Sequence, residues 1–290
     1  MLRILRVLAP NADVYTLDGT NTWVVGDSPS IVIDPGPDIP GHLDEVAATA
    51  GTVAAVVVTH DHPDHAPGAP AFAARVGAPL YAFRLESAER LRDGQVVRAG
   101  DVSLRAVHTP GHTSDHVVLF EAGSAALFTG DTVVGRGTSF IDPPGGDLVQ
   151  YLRSLERMRG LGARTIYPGH GPVVFDAPAK LDEYVRHRAE REEQVVAALA
   201  AGPATIADMV EQIYDAYPPE VRPLAARSVL AHLLKLEAEG RATRSGRGDD
   251  ARWSSMQPKT CERCGRRPAI GRTKLCGSCS LAVLQDTSDS

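Results

Sequence analysis

The chain has 290 residues, of which 43% are hydrophobic and 23% charged, and its formal net charge is −6. This composition is typical of a globular protein with room for about two domains. No stretch approaches the roughly 18 to 20 apolar residues of a membrane span, and the N-terminal segment lacks the small-residue cleavage site of a secretory signal. We therefore expect a cytoplasmic protein that does not contact a membrane.

The first 175 residues alternate short β-rich runs with segments of helical periodicity. Strands are predicted at IVID (31–34), VAAVVV (53–58), LYAF (80–83), VSLRAV (102–107), HVVLF (116–120), AALFT (125–129) and TIYP (165–168). Between them, helices are predicted at HLDEVAATA (42–50), APAFAARVG (69–77) and DLVQYLRSLERMRGLG (147–162). Strands that alternate with helical segments in this way predict a layered α/β domain.

Polar residues follow the ends of several predicted strands. Asp34 follows IVI, the segment THDHPDH (59–65) follows VAAVVV, Asp131 follows ALFT, and His170 follows TIYP. Loops held at strand ends by a rigid sheet are common positions for catalytic groups. These loops are therefore the first candidates for a functional site.

From about Leu181 the pattern becomes helical. Three helical segments and two short strands around a Gly/Asp turn follow one another: LDEYVRHRAEREEQVVAALA (181–200), TIADMVEQIYDAY (205–217), RPLAARSVLAHLLKLEAEG (222–240) and ATRSGRGDDARWSS (242–255). Three helices and a hairpin predict a winged helix, and the alternative is a helical cap on the first domain.

The segment THDHPDH combines the ligand types that zinc and related first-row metals prefer, which are imidazole and carboxylate. His60 and His62 are two positions apart, so an extended loop points both side chains the same way. Asp64 and His65 lie on the following bend and can face a second metal about 3.5 Å away. In three further turns, a glycine directly precedes a candidate metal ligand. These ligands are His112 in TPGHTSDH, Asp131 in FTGDTVVG and His170 in YPGHGP.

The order HxHxDH, then GH, GD and GH, resembles the signature of the metallo-β-lactamase superfamily. The resemblance implies an αββα sandwich with two metal ions, taken to be zinc, at the sheet edges. It implies that His60, His62 and His112 bind the first metal, that Asp64, His65 and His170 bind the second, and that Asp131 bridges them. Asp34 resembles a position that orients a ligand histidine, although an Asp that merely ends a strand before Pro-Gly is an equal alternative.

A metal pair of this kind lowers the pKa of a shared water towards about 7 and polarises the substrate oxygen. Hydrolysis of an ester, amide or phosphodiester by a metal-bound hydroxide is therefore the expected reaction. The candidate catalytic residues are Asp64 and Asp131, together with His116, which lies four residues after His112 and would protonate a leaving group. A structural role for His116 is the alternative.

Further segments, among them LDGTNTWVVG (17–26) and YPGHGPVV (167–174), resemble the β-lactamase-like protein 2 group, in which a winged-helix-like domain follows the catalytic domain. That group includes endoribonucleases that cut single-stranded RNA, so RNA hydrolysis is the leading prediction. The first alternative is a thioesterase of the glyoxalase II type that acts on hydroxyacylglutathione. The second is a nucleic-acid-binding module without catalytic activity.

Two other branches of the superfamily are disfavoured by the sequence. Only 38 residues separate Asp131 from His170, too few for the large inserted domain of the RNA-processing and DNA-repair nucleases. A drug-degrading β-lactamase is normally secreted, and no signal for secretion is predicted here.

All four cysteines lie in the last 30 residues, as two Cys-x2-Cys pairs. This spacing predicts one structural zinc in a small zinc ribbon, with the ligands Cys261, Cys264, Cys276 and Cys279. Residues 241–290 also carry a net charge of +5 against −11 for residues 1–240, so the tail is a candidate RNA contact. A zinc that only folds the tail, or a tail that binds another protein, is an equal alternative. The predicted domains are 1–178 (catalytic), 179–256 (winged helix) and 257–290 (zinc tail).

Overall fold

A computed structural model describes residues 2–256, which form two compact units that meet in sequence between His187 and Arg188. The predicted zinc tail, with all four cysteines, lies outside the described residues. None of the helices that the structure describes is both long and apolar enough to cross a membrane.

The first unit contains two mixed β-sheets. Strand order in the first sheet follows the sequence: β1 (Ile4–Leu8), β2 (Asn21–Val25), β3 (Ser30–Ile33), β4 (Val53–Val57), β5 (Leu80–Ala82) and β6 (Glu89–Arg90). The second sheet has the spatial order β11 (Thr165–Pro168), β10 (Ala126–Gly130), β9 (Val117–Glu121), β8 (Val102–His108) and β7 (Val96–Ala99). Strands β3 to β6 are parallel to one another, as are β10 and β11, and the other pairs are antiparallel.

A buried apolar layer joins the two sheets, with Trp23 and Ile31 contributed by the first sheet and Leu104, Leu119 and Phe128 by the second. Helices cover the outer faces: α1 (Pro40–Ala50) and α2 (Ala69–Val76) on the first sheet, and α3 (Leu148–Arg159) beside the second. The αββα sandwich expected from the sequence is confirmed.

The predicted strands and helices of this unit are all present, and four strands were not predicted. The structure adds β1, β2, β6 and β7 to the sheets. Strand β6 is two exposed charged residues, and β7 alternates exposed and buried positions over four residues. Such short segments have too few apolar positions to be distinguished from loops by periodicity.

Several glycines of the catalytic unit differ in the space that surrounds them. A Cβ on Gly111 would lie 2.3 Å from the Cα of Tyr151, and one on Gly169 would lie 2.5 Å from Asp131 Oδ1. By contrast, a Cβ on Gly51, Gly100 or Gly162, at the opposite strand ends, would have nothing within 4 Å. The backbone therefore packs closely at Gly111 and Gly169, where the polar loops lie, and is open at Gly51, Gly100 and Gly162.

The second unit has its own core. Helix α4 (Ala177–Ala200) runs into it, and α5 (Ile206–Ile213), α6 (Arg222–Ala238), β12 (Ala242–Ser245) and β13 (Arg252–Ser255) complete it. Leu233, Leu236 and Trp253 are buried together with Val195 and Met209. Three helices followed by an antiparallel hairpin confirm the winged-helix prediction, although α5 ends four residues earlier than its periodicity suggests.

A partly buried carboxylate links the elements of this second unit. Glu192 on α4 accepts from Lys235 Nζ at 2.7 Å and from Arg241 Nη1 at 2.8 Å, and His232 Nδ1 lies 3.9 Å away. His232, Lys235 and Arg241 lower the pKa of Glu192 from 4.5 to about 2. A group whose pKa is depressed by folding stabilises the fold above its unfolded pKa and loses that contribution as the pH falls through the folded value.

We expect Glu192→Gln to lower the free energy of unfolding by about 2 kcal/mol at pH 7, because hydrogen bonds to a charged group contribute on that scale. Urea unfolding followed by circular dichroism measures the difference, which should shrink steadily from about pH 5 to pH 3. Glu239→Gln is the matched control, since Glu239 contacts the same two cations but its side chain is 37% exposed. A difference for Glu192→Gln that does not change with pH would contradict this account.

Candidate metal centre

The polar loops converge at one end of the sandwich because the strands that precede them end there. Residues 59–65 follow β4, His112 follows β8, Asp131 follows β10, and His170 follows β11. The two sheets are tied together at this end, since the backbone N–H of Val117 at the start of β9 donates to Thr59 O at 2.9 Å. Ligand loops from both sheets therefore share one rigid frame.

The first group of converging side chains contains His60, His62 and His112. Nδ1 of His62 lies 2.9 Å from Nε2 of His60 and 3.1 Å from Nε2 of His112. His60 is buried, while His62 and His112 are partly exposed. Three imidazole nitrogens therefore surround one point that solvent can reach.

The second group contains Asp64, His65 and His170. Nε2 of His65 lies 3.2 Å from Nε2 of His170, and Oδ2 of Asp64 lies 3.3 and 3.0 Å from these two nitrogens. His65 and His170 are buried, whereas Asp64 is partly exposed. This group therefore offers one carboxylate oxygen and two nitrogens.

Asp131 belongs to both groups. Its Oδ1 lies 3.4 Å from Nε2 of His65 and 3.3 Å from Nε2 of His170, while its Oδ2 lies 3.8 Å from Nε2 of His112 and 4.0 Å from Nε2 of His60. In each group of four, the ligand atoms lie within 4.8 Å of one another. The sequence-predicted ligands are thus brought together in the two sets that the resemblance implies.

Protein acceptors orient several of the imidazoles from behind. Nδ1 of His65 donates to Asp34 Oδ2 at 2.9 Å, that of His112 to Phe140 O at 2.7 Å, and that of His170 to Gly19 O at 3.2 Å. A ring that donates through Nδ1 presents the lone pair of Nε2 to the opposite side.

Asp34 is held as firmly as the histidine that it orients. Its carboxylate accepts from the backbone N–H of Thr59 and the hydroxyl of Thr59, both at 2.7 Å, as well as from His65. Its φ of 49° is unusual for a residue other than glycine. The structure therefore favours the orienting role for Asp34 over that of a simple strand end.

The two groups differ in their electrostatics. Burial lowers the pKa of His60 and His112 and lowers that of His62 to about 4, so these rings are neutral at pH 7. Burial also opposes the charged form of His170, yet the neighbouring Asp131 and Asp64 raise its pKa to about 9. Neutral imidazoles are the form that binds metals, and the carboxylates make the second group favourable for positive charge.

The donor set fits a pair of divalent first-row metals such as zinc or iron. Asp131 Oδ1 is buried and has no hydrogen-bond partner among the described residues. Burying such an oxygen beside converging lone pairs is unfavourable unless a cation lies between them. The five imidazoles and two carboxylates match the nitrogen and oxygen ligands that these metals prefer.

His116 lies behind this cluster rather than at its mouth. The ring is fully buried, and its Nε2 accepts the backbone N–H of Asp131 at 3.1 Å. Its Nδ1 lies 3.0 Å from Thr132 Oγ1 and 3.2 Å from Thr109 Oγ1. Both nitrogens are therefore engaged with the protein, which argues against the predicted role as proton donor to a leaving group. The geometry instead makes His116 a positioning residue for Asp131.

Two supporting residues were not identified from the sequence. The carboxylate of Asp115 accepts the backbone N–H of Asp61 at 3.0 Å and so fixes the turn that contains the first histidines. The buried amide of Asn21 donates to Pro168 O and Gly171 O, both at 2.9 Å, on either side of His170. Single polar residues of this kind carry no spacing signal, and their contacts span up to 150 positions in sequence.

Comparisons with known proteins agree with this geometry. Residues 15–170 match the metallo-beta-lactamase superfamily, and residues 205–253 match the beta-lactamase associated winged helix domain. The chain is 34% identical to a beta-lactamase-like protein 2 homolog of Caenorhabditis elegans, over 82% of this chain and 85% of that protein. It is 33% identical to an atrochrysone carboxyl ACP thioesterase of Aspergillus chevalieri, over 87% of this chain and 86% of that protein. The lactamase-like protein aptB of Emericella nidulans is 39% identical, over 68% of this chain and 65% of that protein.

Solved structures share the fold. A metallo-beta-lactamase family protein from Thermus thermophilus is similar with a TM-score of 0.71 and 24% identity, over 88% of this chain and 98% of that one. A beta-lactamase domain protein from Burkholderia ambifaria is similar with a TM-score of 0.74 and 22% identity, over 88% of this chain and 91% of that one. At these identities the similarity concerns the fold.

We expect Gly169→Ala to reduce the amount of metal that the purified protein retains, because the added Cβ would lie 2.5 Å from Asp131 Oδ1 and 2.8 Å from His65 Cε1. Elemental analysis after dialysis measures the metal content, with circular dichroism as the test that the variant folds. Gly41→Ala is the control, since its Cβ would have nothing within 4 Å. Equal metal content in a folded Gly169→Ala protein would contradict the close approach.

Asp34→Asn should weaken binding of the metal held by the second group by about 10- to 100-fold, the range measured when a residue that orients a metal ligand is replaced. The amide would turn an N–H towards one of the three donors that the carboxylate now accepts. Competition with a chelator measures each affinity. The first group should be affected less, because Asp34 reaches it only through the Thr59 hydroxyl, which lies 3.0 Å from Nδ1 of His60. Loss of both metals to the same extent would show that Asp34 supports the whole site instead.

Proposed function

The chain belongs to the metallo-β-lactamase superfamily of metal-dependent hydrolases, and we propose that this member hydrolyses phosphodiester bonds in single-stranded RNA. The observation that supports RNA is the group of exposed arginines on the hairpin of the winged-helix unit, which follows the metal-binding groups in the same chain. Its hairpin exposes Arg244, Arg247 and Arg252. Exposed arginine side chains are suited to contacts with phosphates.

We further propose that both metals are zinc. One ion would be held by His60, His62 and His112, and the other by Asp64, His65 and His170. Asp131 would be a ligand of both ions. The chemistry supplied by such a pair when bound is activation of a water and polarisation of the reacting phosphoryl oxygen. Asp34 keeps the Nε2 lone pair of His65 directed into the site, and His116 holds the backbone of Asp131 in place. Asp64 and Asp131 remain the candidate catalytic carboxylates.

The C-terminal tail enters the proposal through its sequence alone. The spacing of Cys261, Cys264, Cys276 and Cys279 supports one further zinc of structural type. The basic residues around these cysteines would add phosphate contacts to those of the winged helix.

A second candidate substrate is a small thioester. It is favoured by the similarity to a protein named as an acyl carrier protein thioesterase, which extends over 87% of this chain. A metal pair that polarises a phosphoryl oxygen polarises a thioester carbonyl by the same physical effect. The choice between the two therefore depends on groups outside the metal ligands.

We expect the zinc-loaded protein to cut a fluorescently labelled single-stranded oligoribonucleotide and to leave S-lactoylglutathione and an acyl carrier protein thioester intact. Gel analysis measures RNA cleavage, and a thiol reagent measures thioester hydrolysis. Asp131→Ala should reduce cleavage to the level of the metal-stripped protein, because both groups lose a ligand. Thioester turnover without RNA cleavage would overturn the proposal in favour of the second candidate, and no turnover of any substrate would favour a binding module without catalytic activity.

A further inference from the structure

Two loops from opposite flanks of the metal-binding groups place aromatic rings close together. The ring centroids of Tyr15 and Phe140 are 6.4 Å apart, with an interplanar angle of 56°. Phe140 lies in the loop after β10, and its carbonyl oxygen accepts from His112. Tyr15 lies in the loop between β1 and β2. The pair therefore stands beside the first group of ligands, and neither ring takes part in holding a metal.

The loop that carries Tyr15 is also attached to the second group. Gly19 O accepts from His170, and the hydroxyl of Thr20 lies 3.4 Å from Asp64 Oδ2. A β-bridge joins Thr20 to His170. The Tyr15 loop thus ends beside ligands of the second group, and its tip contacts Phe140 beside the first group.

The tip is held in one conformation. Oδ1 of Asp13 accepts from the backbone N–H groups of Tyr15 at 2.6 Å and Thr16 at 2.8 Å. The Thr16 hydroxyl donates to Asn11 O at 2.5 Å, and Leu17 has a φ of 58°. Strained backbone of this kind in residues other than glycine tends to occur at functional sites. The backbone that carries the ring is therefore fixed before any ligand arrives, which reduces the entropy lost on binding.

The ring nevertheless contacts solvent. Tyr15 is 61% exposed and its neighbour Val14 is 71% exposed, among the largest values for apolar side chains in the described part of the chain. Asp18 lies 3.4 Å from Arg136, and the carboxylate of Asp13 accepts two backbone N–H groups of its own turn. An exposed aromatic face beside a hydrolytic centre is a site for a flat part of the substrate.

We infer that Tyr15, supported by Phe140, is a platform on which the base of a nucleotide next to the scissile phosphate stacks. The inference rests on the proposed RNA hydrolysis and specifies how the strand is held. An open platform suits a nucleobase, because stacking uses one face of a ring and tolerates any base. A flexible acyl chain would gain most from an enclosed apolar cavity, since its stabilisation scales with the area removed from water.

The experiment compares Tyr15→Ala and Tyr15→Phe with the wild-type zinc-loaded protein. On a single-stranded oligoribonucleotide, Tyr15→Ala should lower kcat/KM about tenfold, mainly through KM, which is within the range known for loss of one stacked base. Tyr15→Phe retains the stacking face and should stay within about twofold of wild type. Phe175→Ala is the matched control, because Phe175 is 81% exposed and has no described contact with the metal ligands.

A spectroscopic measurement tests stacking itself. Oligoribonucleotides with 2-aminopurine at successive positions are mixed rapidly with the protein, before cleavage, and one position should show quenched fluorescence with wild type and Tyr15→Phe but not with Tyr15→Ala. Wild type should cut an oligoribonucleotide that lacks the base at that position as slowly as Tyr15→Ala cuts the intact strand. Tyr15→Ala should cut the base-free strand and the intact strand at the same rate.

The outcomes separate this inference from the proposed function. RNA cleavage that Tyr15→Ala leaves unchanged would overturn the platform and leave RNA hydrolysis standing. An equal loss for Tyr15→Ala on the intact and the base-free strand would also overturn it, because the effect would then be on the loop rather than on stacking. Failure of the wild-type protein to cut or bind RNA would overturn both.

Discussion

The site depends on the placement of one buried carboxylate. Asp131 turns one oxygen to each of two imidazole groups, and this arrangement requires that loops from both sheets meet with little positional error. Several features described above serve this requirement. His116 fixes the backbone of Asp131, the Val117 to Thr59 hydrogen bond joins the sheets, and Gly169 has no side chain where one would strike the carboxylate. The packing of the αββα sandwich therefore fixes the positions of the two carboxylate oxygens of Asp131.

The sequence indicated most strands of the catalytic unit and a cluster of metal-binding residue types, and the resemblance of its motifs to a known family supplied the rest. Strands such as IVID and VAAVVV are continuous apolar runs, which buried parallel strands produce, and the motif HxHxDH concentrates metal ligands at a spacing that few other structures use. The winged helix was predicted from the order of its elements, because three helical segments precede two short strands around a Gly/Asp turn. In these cases the requirement that shapes the fold, such as burial of a strand, is visible within a short stretch of sequence.

Other features were not predictable from one sequence. His116 looks like a pocket residue from its spacing to His112, and its burial behind Asp131 depends on how β9 meets β10. Tyr15 is a single aromatic residue in a loop, and its significance comes from a ring 125 positions away. Glu192 lies in a helix with many charges, and its partners Lys235 and Arg241 are brought to it by tertiary packing alone. In each case the role of the residue depends on a contact with a partner elsewhere in the sequence, which the local sequence pattern does not indicate.

The space around individual glycines indicates where the catalytic unit tolerates change. At the ligand end, side chains and backbone occupy the space around Gly111 and Gly169, so a side chain at either position would displace its neighbours. At the opposite end, the space around Gly51, Gly100 and Gly162 is open. Exposed turns of that kind accept insertions readily. Fusion partners, affinity tags, dye attachment points and new chain termini made by circular permutation therefore belong at that end of the sandwich.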